Sequence, residues 1–440
     1  MRDLPKPKSS AKIQERRKLA EDFGGGASMP ELTYIARDLE PIVLQASQEY
    51  PVVLVTGQRQ VGKTTMLRRL MKGTQRSYVT LDDLDARALA SNDPEMFLQL
   101  HKPPVLIDEV QYAPELFSYI KLIADREQKT GLFWLTGSQP FRLMELTGES
   151  LAGRVAVLHL TTLSQKELFG DGKAEPFTID IQSLNRRAKH RKPADTPSFF
   201  QRIFVGSMPA YASGRVSNQQ LFYSSYIQTY VERDVRELSG SIDSTEFARF
   251  IRAVACRCAQ IVNAADIGRD VDGMRSEKVK EWLGILERSG IIFYLYPYSN
   301  NLLKRTVKAP KLYFYDSGLV AYLTKWSSAE TLEAGAMSGA ILENYTVAEI
   351  VKSYLNIGIE PNLYYYRDKD TQEIDVVLES NGQLNPLEIK KTASPDSRLA
   401  RTFKVLDKGA IPRGMGGILC MKAELSAIDS QNLIIPVWLI

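Results

Sequence analysis

Short apolar runs recur along the first part of the chain, most of them separated by stretches with helical spacing. They are Val52-Val53-Leu54-Val55, Ser77-Tyr78-Val79-Thr80-Leu81, Val105-Leu106-Ile107, Leu132-Phe133-Trp134-Leu135 and Val155-Ala156-Val157-Leu158. Runs this short, rich in β-branched and aromatic residues, predict buried strands, and the intervening helical patterns predict a mostly parallel sheet covered on both faces. This α/β unit is expected over residues 30–170.

The pattern changes on either side. Residues 1–29 mix Pro, Lys, Arg and Ser with Gly24-Gly25-Gly26, the composition of a disordered basic arm. Residues 171–198 are polar and hold Arg186-Arg187-Ala188-Lys189-His190-Arg191-Lys192, which predicts a linker or inserted loop, either plainly solvated or in contact with nucleic acid. Beyond it, Phe222, Tyr223, Tyr226 and Tyr230 fall three and four apart, an aromatic stripe that predicts a packed helix. Residues 199–325 read as helical. Within them, helices near 247–259 and 264–269, a turn at Asp272-Gly273 and a helix from Ser276 to Arg288 precede a hairpin built from 291–296 and 311–315. Residues 326–440 read as a small α/β domain.

Composition narrows the class. The chain has 440 residues, 44% apolar and 25% charged, with a formal charge of +4. That length calls for two or three domains, and the mild charge leaves any basic surface to be found locally. Three cysteines give no disulfide framework, and Cys256-x-Cys258 reads as a pair of buried small hydrophobes. No apolar run approaches the roughly 18 residues of a membrane span, and the start lacks a secretory signal core, so a cytoplasmic protein without a membrane partner is expected.

The candidate chemistry begins at Gly57-Gln58-Arg59-Gln60-Val61-Gly62-Lys63-Thr64-Thr65. This segment follows an apolar run and opens a helical pattern, the setting of a phosphate-binding loop. Backbone N–H groups and the helix N-terminus would cradle the phosphates of ATP, Lys63 would reach the β- and γ-phosphates, and Thr64 would ligate Mg2+. Pro104-Val105-Leu106-Ile107 ends in Asp108-Glu109, a strand that carries Asp108 to hold the metal and Glu109 to polarise water. The competing reading of Glu109 is a turn cap. Ser138, at the end of the fourth run, is the candidate γ-phosphate sensor. Arg154, ahead of the fifth, is the candidate arginine that reaches the γ-phosphate in cis or from a neighbouring subunit, or else a surface ion pair.

A second constellation lies near the end. Ile374-Asp375 to Ser380, Asn381-Gly382 and Gln383 to Lys391 predict a hairpin with a two-residue type I′ turn, pairing Ser380 with Gln383. Counting outward, Asp375 faces Glu388 and Glu373 faces Lys390, all on one side of the strands. Opposed carboxylates need a cation between them, for which magnesium is the expected occupant, with Lys390 assisting. A solvated charged face neutralised by Lys390 is the alternative.

The motif Leu106-Ile-Asp-Glu-Val-Gln-Tyr-Ala-Pro114 joins the phosphate loop, Leu135-Thr-Gly-Ser-Gln139 and Leu151-Ala-Gly-Arg154. Further along come 226–234, 311–319, Glu373-Ile-Asp375 and Glu388-Ile-Lys390. Together they resemble the AAA-superfamily ATP-binding proteins of bacteria and archaea. Those carry a C-terminal region of unknown function that combines a winged helix with a nuclease-like fold. The resemblance implies ATP hydrolysis, and it matches Glu343 to the acidic residue that restriction-endonuclease-like folds take from their first helix. A metal set of Glu343, Asp375 and Glu388 follows. Basic residues Arg275, Lys278 and Lys280, with Lys304, Arg305 and Lys308 in the hairpin loop, suit phosphate contacts. The expectation is a DNA-associated, possible homo-oligomeric Mg-dependent ATPase. The alternative is a nucleotide-dependent switch or remodeller of protein partners with an inactive nuclease-like scaffold.

Overall fold

A computed structural model describes residues 34–138, 143, 148, 151–170, 174–191, 193–230, 243–299, 309–368 and 372–440. The expected basic arm, Gln139, Arg233, Asp234 and the hairpin-loop residues Lys304, Arg305 and Lys308 lie outside them.

All five expected strands form: β1 (Val52–Thr56), β2 (Ser77–Thr80), β3 (Val105–Asp108), β4 (Phe133–Gly137) and β5 (Val155–His159). They build a parallel sheet in the order β2-β3-β4-β1-β5. Alternation along β1 shows why its run is continuously apolar. Val52 and Leu54 enter a core with Ile107 and Leu135 on one face, while Val53 and Val55 enter another with Leu106 and Trp134. Helices cover both faces, so no position in the strand meets water.

The stretch expected as a polar loop instead contains a helix, Ile181–His190, capped by the Asp180 carboxylate at the Ser183 N–H. Arg187 of this helix and Arg191, just past its end, point inward. Arg187 donates to the carbonyls of Leu439, Glu175 and Pro176, and Arg191 to those of Trp438 and Ile440. Guanidinium groups spent on buried carbonyls are withdrawn from any external phosphate.

The aromatic stripe lies on the helix Gln219–Tyr230, with Phe222, Tyr223 and Tyr226 buried as expected. Cys258 is buried, but Cys256 is exposed, because it lies just past the end of its helix.

Residues 244–314 run helix (Ser244–Ala255), β6 (Gln260–Ile261), helix (Ala264–Asp270), helix (Ser276–Arg288), β7 (Ile292–Pro297) and β8 (Lys311–Phe314). Strands β7 and β6 flank β8, both antiparallel to it. After the helix Ser338–Leu355 come β9 (Leu363–Arg367), β10 (Glu373–Ser380), β11 (Gln383–Lys390), β12 (Gly416–Cys420), β13 (Ser426–Ala427) and β14 (Asn432–Pro436).

The boundary expected at 325/326 does not divide the structure. Strand β7 pairs in parallel with β9 through Tyr296↔Tyr364 and Pro297↔Tyr365, making one nine-stranded sheet. A single core runs from Phe177 through Trp282, Tyr313 and Ile350 to Ile440.

Candidate functional site

The phosphate-loop segment connects β1 to the helix Lys63–Leu70, as its sequence predicts. Gly57 has φ +146°, and a Cβ built there would lie 2.1 Å from the Leu160 carbonyl oxygen, so no other residue fits without moving the backbone beside β5. The loop then turns through positive φ at Gln60 (+63°) and at Gly62 (+95°), the residue that precedes the helix. The Lys63 ammonium donates to the carbonyls of Gly57 (2.8 Å) and Gln58 (3.0 Å), which folds it back beneath the loop. Its charge acts on His159, which lies across from Thr56 at the carboxyl end of β5. Burial first, and the Lys63 charge second, push the His159 imidazole down to about 4. It is neutral at ordinary pH, so it adds no second positive charge beside Lys63.

The acidic half of the site meets the loop at the same edge of the sheet. Thr64 Oγ1 donates to Asp108 Oδ1 at 2.7 Å, Thr136 Oγ1 donates to the same oxygen, and Tyr78 OH donates to Asp108 Oδ2 at 3.2 Å. A hydroxyl and a carboxylate this close form a hard-oxygen donor pair that fits magnesium. Glu109 follows with φ +56°, its N–H bonded to Thr136 Oγ1 at 3.1 Å. Its carboxylate accepts from Gln111 Nε2 and, at 3.1 Å, from Ser138 Oγ. The turn-cap role weighed for Glu109 is absent: the short helix Val110–Tyr112 that it precedes has no side-chain cap. Lys63, Thr64, Asp108, Glu109 and Ser138 thus converge.

Arg154 does not join them. It precedes β5, and its carbonyl accepts from the Val52 N–H, so it sits at the opposite, amino-terminal edge of the sheet. Its guanidinium pairs with Asp125 on the helix Leu116–Glu127. A strand of this length spans about 13 Å, which rules out an approach to this loop in cis and corrects that expectation.

Residues that sequence reasoning passed over complete the site. Arg37 is buried and donates to Val61 O (2.8 Å), Thr161 O (2.9 Å) and Glu167 Oε1 (3.0 Å), tying the loop to the chain that leaves β5. No motif flagged it, since an isolated arginine ahead of a helix carries no signal. Thr136 and Gln111 lay inside recognised motifs without an assigned role. On the outer side, Gln58 meets the helical region: Tyr226 OH lies 3.5 Å from Gln58 Oε1, Gln58 Nε2 lies 3.7 Å from Met208 Sδ, and Gly290 packs on the Gln58 backbone.

At the far end, the Asn381-Gly382 turn adopts positive φ at both residues, and β10 pairs with β11 from Ser380↔Gln383 to Val376↔Leu387. The expected register holds, and β10 shifts register against β9, between Ile374 and Val377. Glu343, Glu373, Asp375, Glu388 and Lys390 do come together. The occupant differs from expectation. Lys311 of β8 enters the cluster, with Nζ 2.6 Å from Glu373, 3.2 Å from Glu343 and 3.8 Å from Asp375. Lys390 Nζ lies 2.6 Å from Glu388 and 3.4 Å from Asp375. Two ammonium groups already supply the charge for which a metal was expected. Among the described residues no group of three His, Cys, Asp or Glu is arranged to hold a metal ion. The metal set Glu343, Asp375 and Glu388 is corrected accordingly. Burial, then the Asp375 charge, pushes Glu343 and Glu388 up to about 7. Burial opposes charge on Lys311, but Glu343, Asp375 and Glu373 outweigh it and raise its affinity for the proton.

Among the described residues, no helix is long and apolar enough to cross a membrane.

Comparison with known proteins divides the chain in three. Residues 49–169 match a family model described as an AAA domain, and residues 196–330 and 338–440 match two domains of unknown function, DUF8612 and DUF4143. Uncharacterized proteins of Mycobacterium bovis and Mycobacterium tuberculosis are each 28% identical over 372 residues, 84% of this chain and 77% of theirs. A Walker-type ATPase of Pyrococcus abyssi overlaps with a TM-score of 0.44 at 16% identity, covering 68% of this chain and 99% of that one. The Holliday junction branch migration motor RuvB of Thermotoga maritima overlaps at 0.29 and 15%, covering 58% and 86%. Overlaps this low carry no functional argument. The family match and the parallel sheet with its loop make the N-terminal part an AAA-type P-loop ATPase domain, and such a domain binds nucleotide.

Proposed function

We propose that the chain is a magnesium-dependent ATPase that works on DNA. The observation that carries this reading is the convergence of Lys63, Thr64, Asp108 and Glu109 at one edge of the parallel sheet. ATP enters with its phosphates against the loop N–H groups, and Lys63 exchanges two loop carbonyls for phosphate oxygens. Magnesium, held by Thr64 and Asp108, supplies charge neutralisation at the phosphates when bound. Glu109 takes the proton of the attacking water, and Ser138 holds Glu109.

Support for the DNA side comes from residues 244–314. We read the order helix, strand, helix, helix, strand, strand with an antiparallel sheet as a winged helix. Arg275 and Lys280 stand exposed at the start of the third helix. Lys278 contributes less, because its ammonium is 2.7 Å from Glu246 and lies over the Trp282 ring. The C-terminal sheet with its Asp…Glu-x-Lys hairpin is read as nuclease-like in shape.

One observation favours the second reading, a nucleotide switch for protein partners. Lys311 fills the acidic cluster, which suits a scaffold that does not cut.

The deciding experiment is ATP turnover with and without duplex DNA over a range of salt. Turnover should rise with DNA, less so at higher salt, and Lys63→Ala should abolish it. Wild-type rates in Lys63→Ala would refute the loop assignment. A flat response to DNA would transfer the reading to protein partners.

A further inference from the structure

Gln111 is completely buried beside Glu109 on the short helix Val110–Tyr112. Its Nε2 donates to Glu109 Oε2 and lies 3.4 Å from Ser138 Oγ, while Ser138 Oγ donates to that same Oε2 at 3.1 Å. Two donors therefore share one carboxylate oxygen. No described residue donates to the other, Oε1.

The opposite end of the amide is unusual. Gln111 Oε1 is buried and has no hydrogen-bond partner among the described residues. A stranded carbonyl costs stability, and cores rarely keep one without a reason. Rotating the amide offers no relief, because it would aim the carbonyl at the Glu109 carboxylate. Room for the stranded oxygen comes from Gly137 at the tip of β4: a Cβ there would lie 2.5 Å from Gln111 Oε1.

We infer that Gln111 is a positioning residue for hydrolysis. It and Ser138 pin one oxygen of Glu109 so that the other faces the attacking water. This rests on the reading of Glu109 as the general base, and it revises the role expected for Ser138 from phosphate sensor to partner of the base. The glutamine acts through Glu109 and touches neither nucleotide nor water.

The test is Gln111→Met, which keeps the length of the side chain, removes the donor and removes the stranded carbonyl. The variant should fold, bind ATP within about twofold of wild type, and lose kcat by about tenfold or more, part of what a positioned base supplies. In a Glu109→Gln background the same change should cost nothing further, since its only client is gone. Ser138→Ala is the second route, with the same loss in kcat alone and the same silence beside Glu109→Gln. A kcat within twofold of wild type in Gln111→Met, an increase, or an additional loss in the double variant would overturn the inference. If Gln111→Met does not fold, Ser138→Ala decides by the same criteria. A wild-type protein without turnover would overturn the ATPase reading, and this inference with it.

Discussion

Single side chains decide whether the loop keeps its shape without a ligand. Arg37 is the clearest case: its guanidinium spans Val61 and Thr161, and its ion pair with Glu167 is almost wholly shielded, at 3% and 0% side-chain exposure. Removing one member of such a pair strands the other, and the cost is about 3–5 kcal/mol. Arg37→Met should therefore lower the unfolding free energy by that amount and weaken ATP binding, measured by denaturant titration and calorimetry. An unchanged affinity would show that the loop is shaped by its own backbone alone. The residues legible in sequence here are those with a fixed spacing. Gly57, Lys63, Thr64 and Asp108 sit where expected because phosphate chemistry dictates their order along the chain. Arg37 and His159 reach the site only through the fold, so no local pattern could announce them.

At the scale of elements, the strands and the C-terminal hairpin were readable because each reflects a short-range rule. Continuous apolar runs mean burial on both faces, and Asn-Gly means a type I′ turn. The occupant of the hairpin's acidic face was not readable. Lys311 comes from β8, over sixty residues before its partners Glu373 and Asp375, and only the pairing of β7 with β9 brings it there. The cluster sets a pH dependence. Glu343 and Glu388 lie near 7 when folded, against an ordinary 4.5. Between those values the native state holds more protons than the unfolded chain. The stability this gives is present below about 4.5 and is lost as the pH rises through 7. His159 acts in the opposite sense, because it must stay neutral when folded, and it costs stability as the pH falls below 6.5 towards 4. The comparison of variants separates them. Thermal midpoints from pH 5 to 8 should fall less steeply in Glu388→Gln than in wild type, and parallel curves would assign the dependence elsewhere.

Across the whole molecule, sequence comparison and structure divide the chain differently. Family matches break between residues 330 and 338, yet β7 and β9 are hydrogen-bonded neighbours and share a core on either side of that gap. Periodicity could not reveal this, since a pairing between distant strands leaves no trace in local pattern. A chain ending at residue 330 would expose the edge of β7 and the apolar face of β8, a template for association. Such a fragment should be recovered as aggregate. A soluble, cooperatively folding fragment would instead make the two regions independent. The ATPase domain joins this body through residues 161–165. Thr162 Oγ1 donates to Tyr315 O, Lys352 Nζ to Leu163 O, and the Gln165 N–H to Glu349. The Gln58 contacts with Met208 and Tyr226 add a second seam directly at the phosphate loop.

The fused sheet has a mechanical consequence. A pull on the β7–β8 hairpin by a bound ligand would be borne through the short β7–β9 pairing into β9 and β10, strands of the same sheet. The strain would pass through the Ser338–Leu355 helix, which holds Glu343 near one end and Lys352 near the other, and emerge at Leu163, a few residues from the strand that flanks the phosphate loop. Whatever grips the hairpin would then have a stiff lever on the nucleotide.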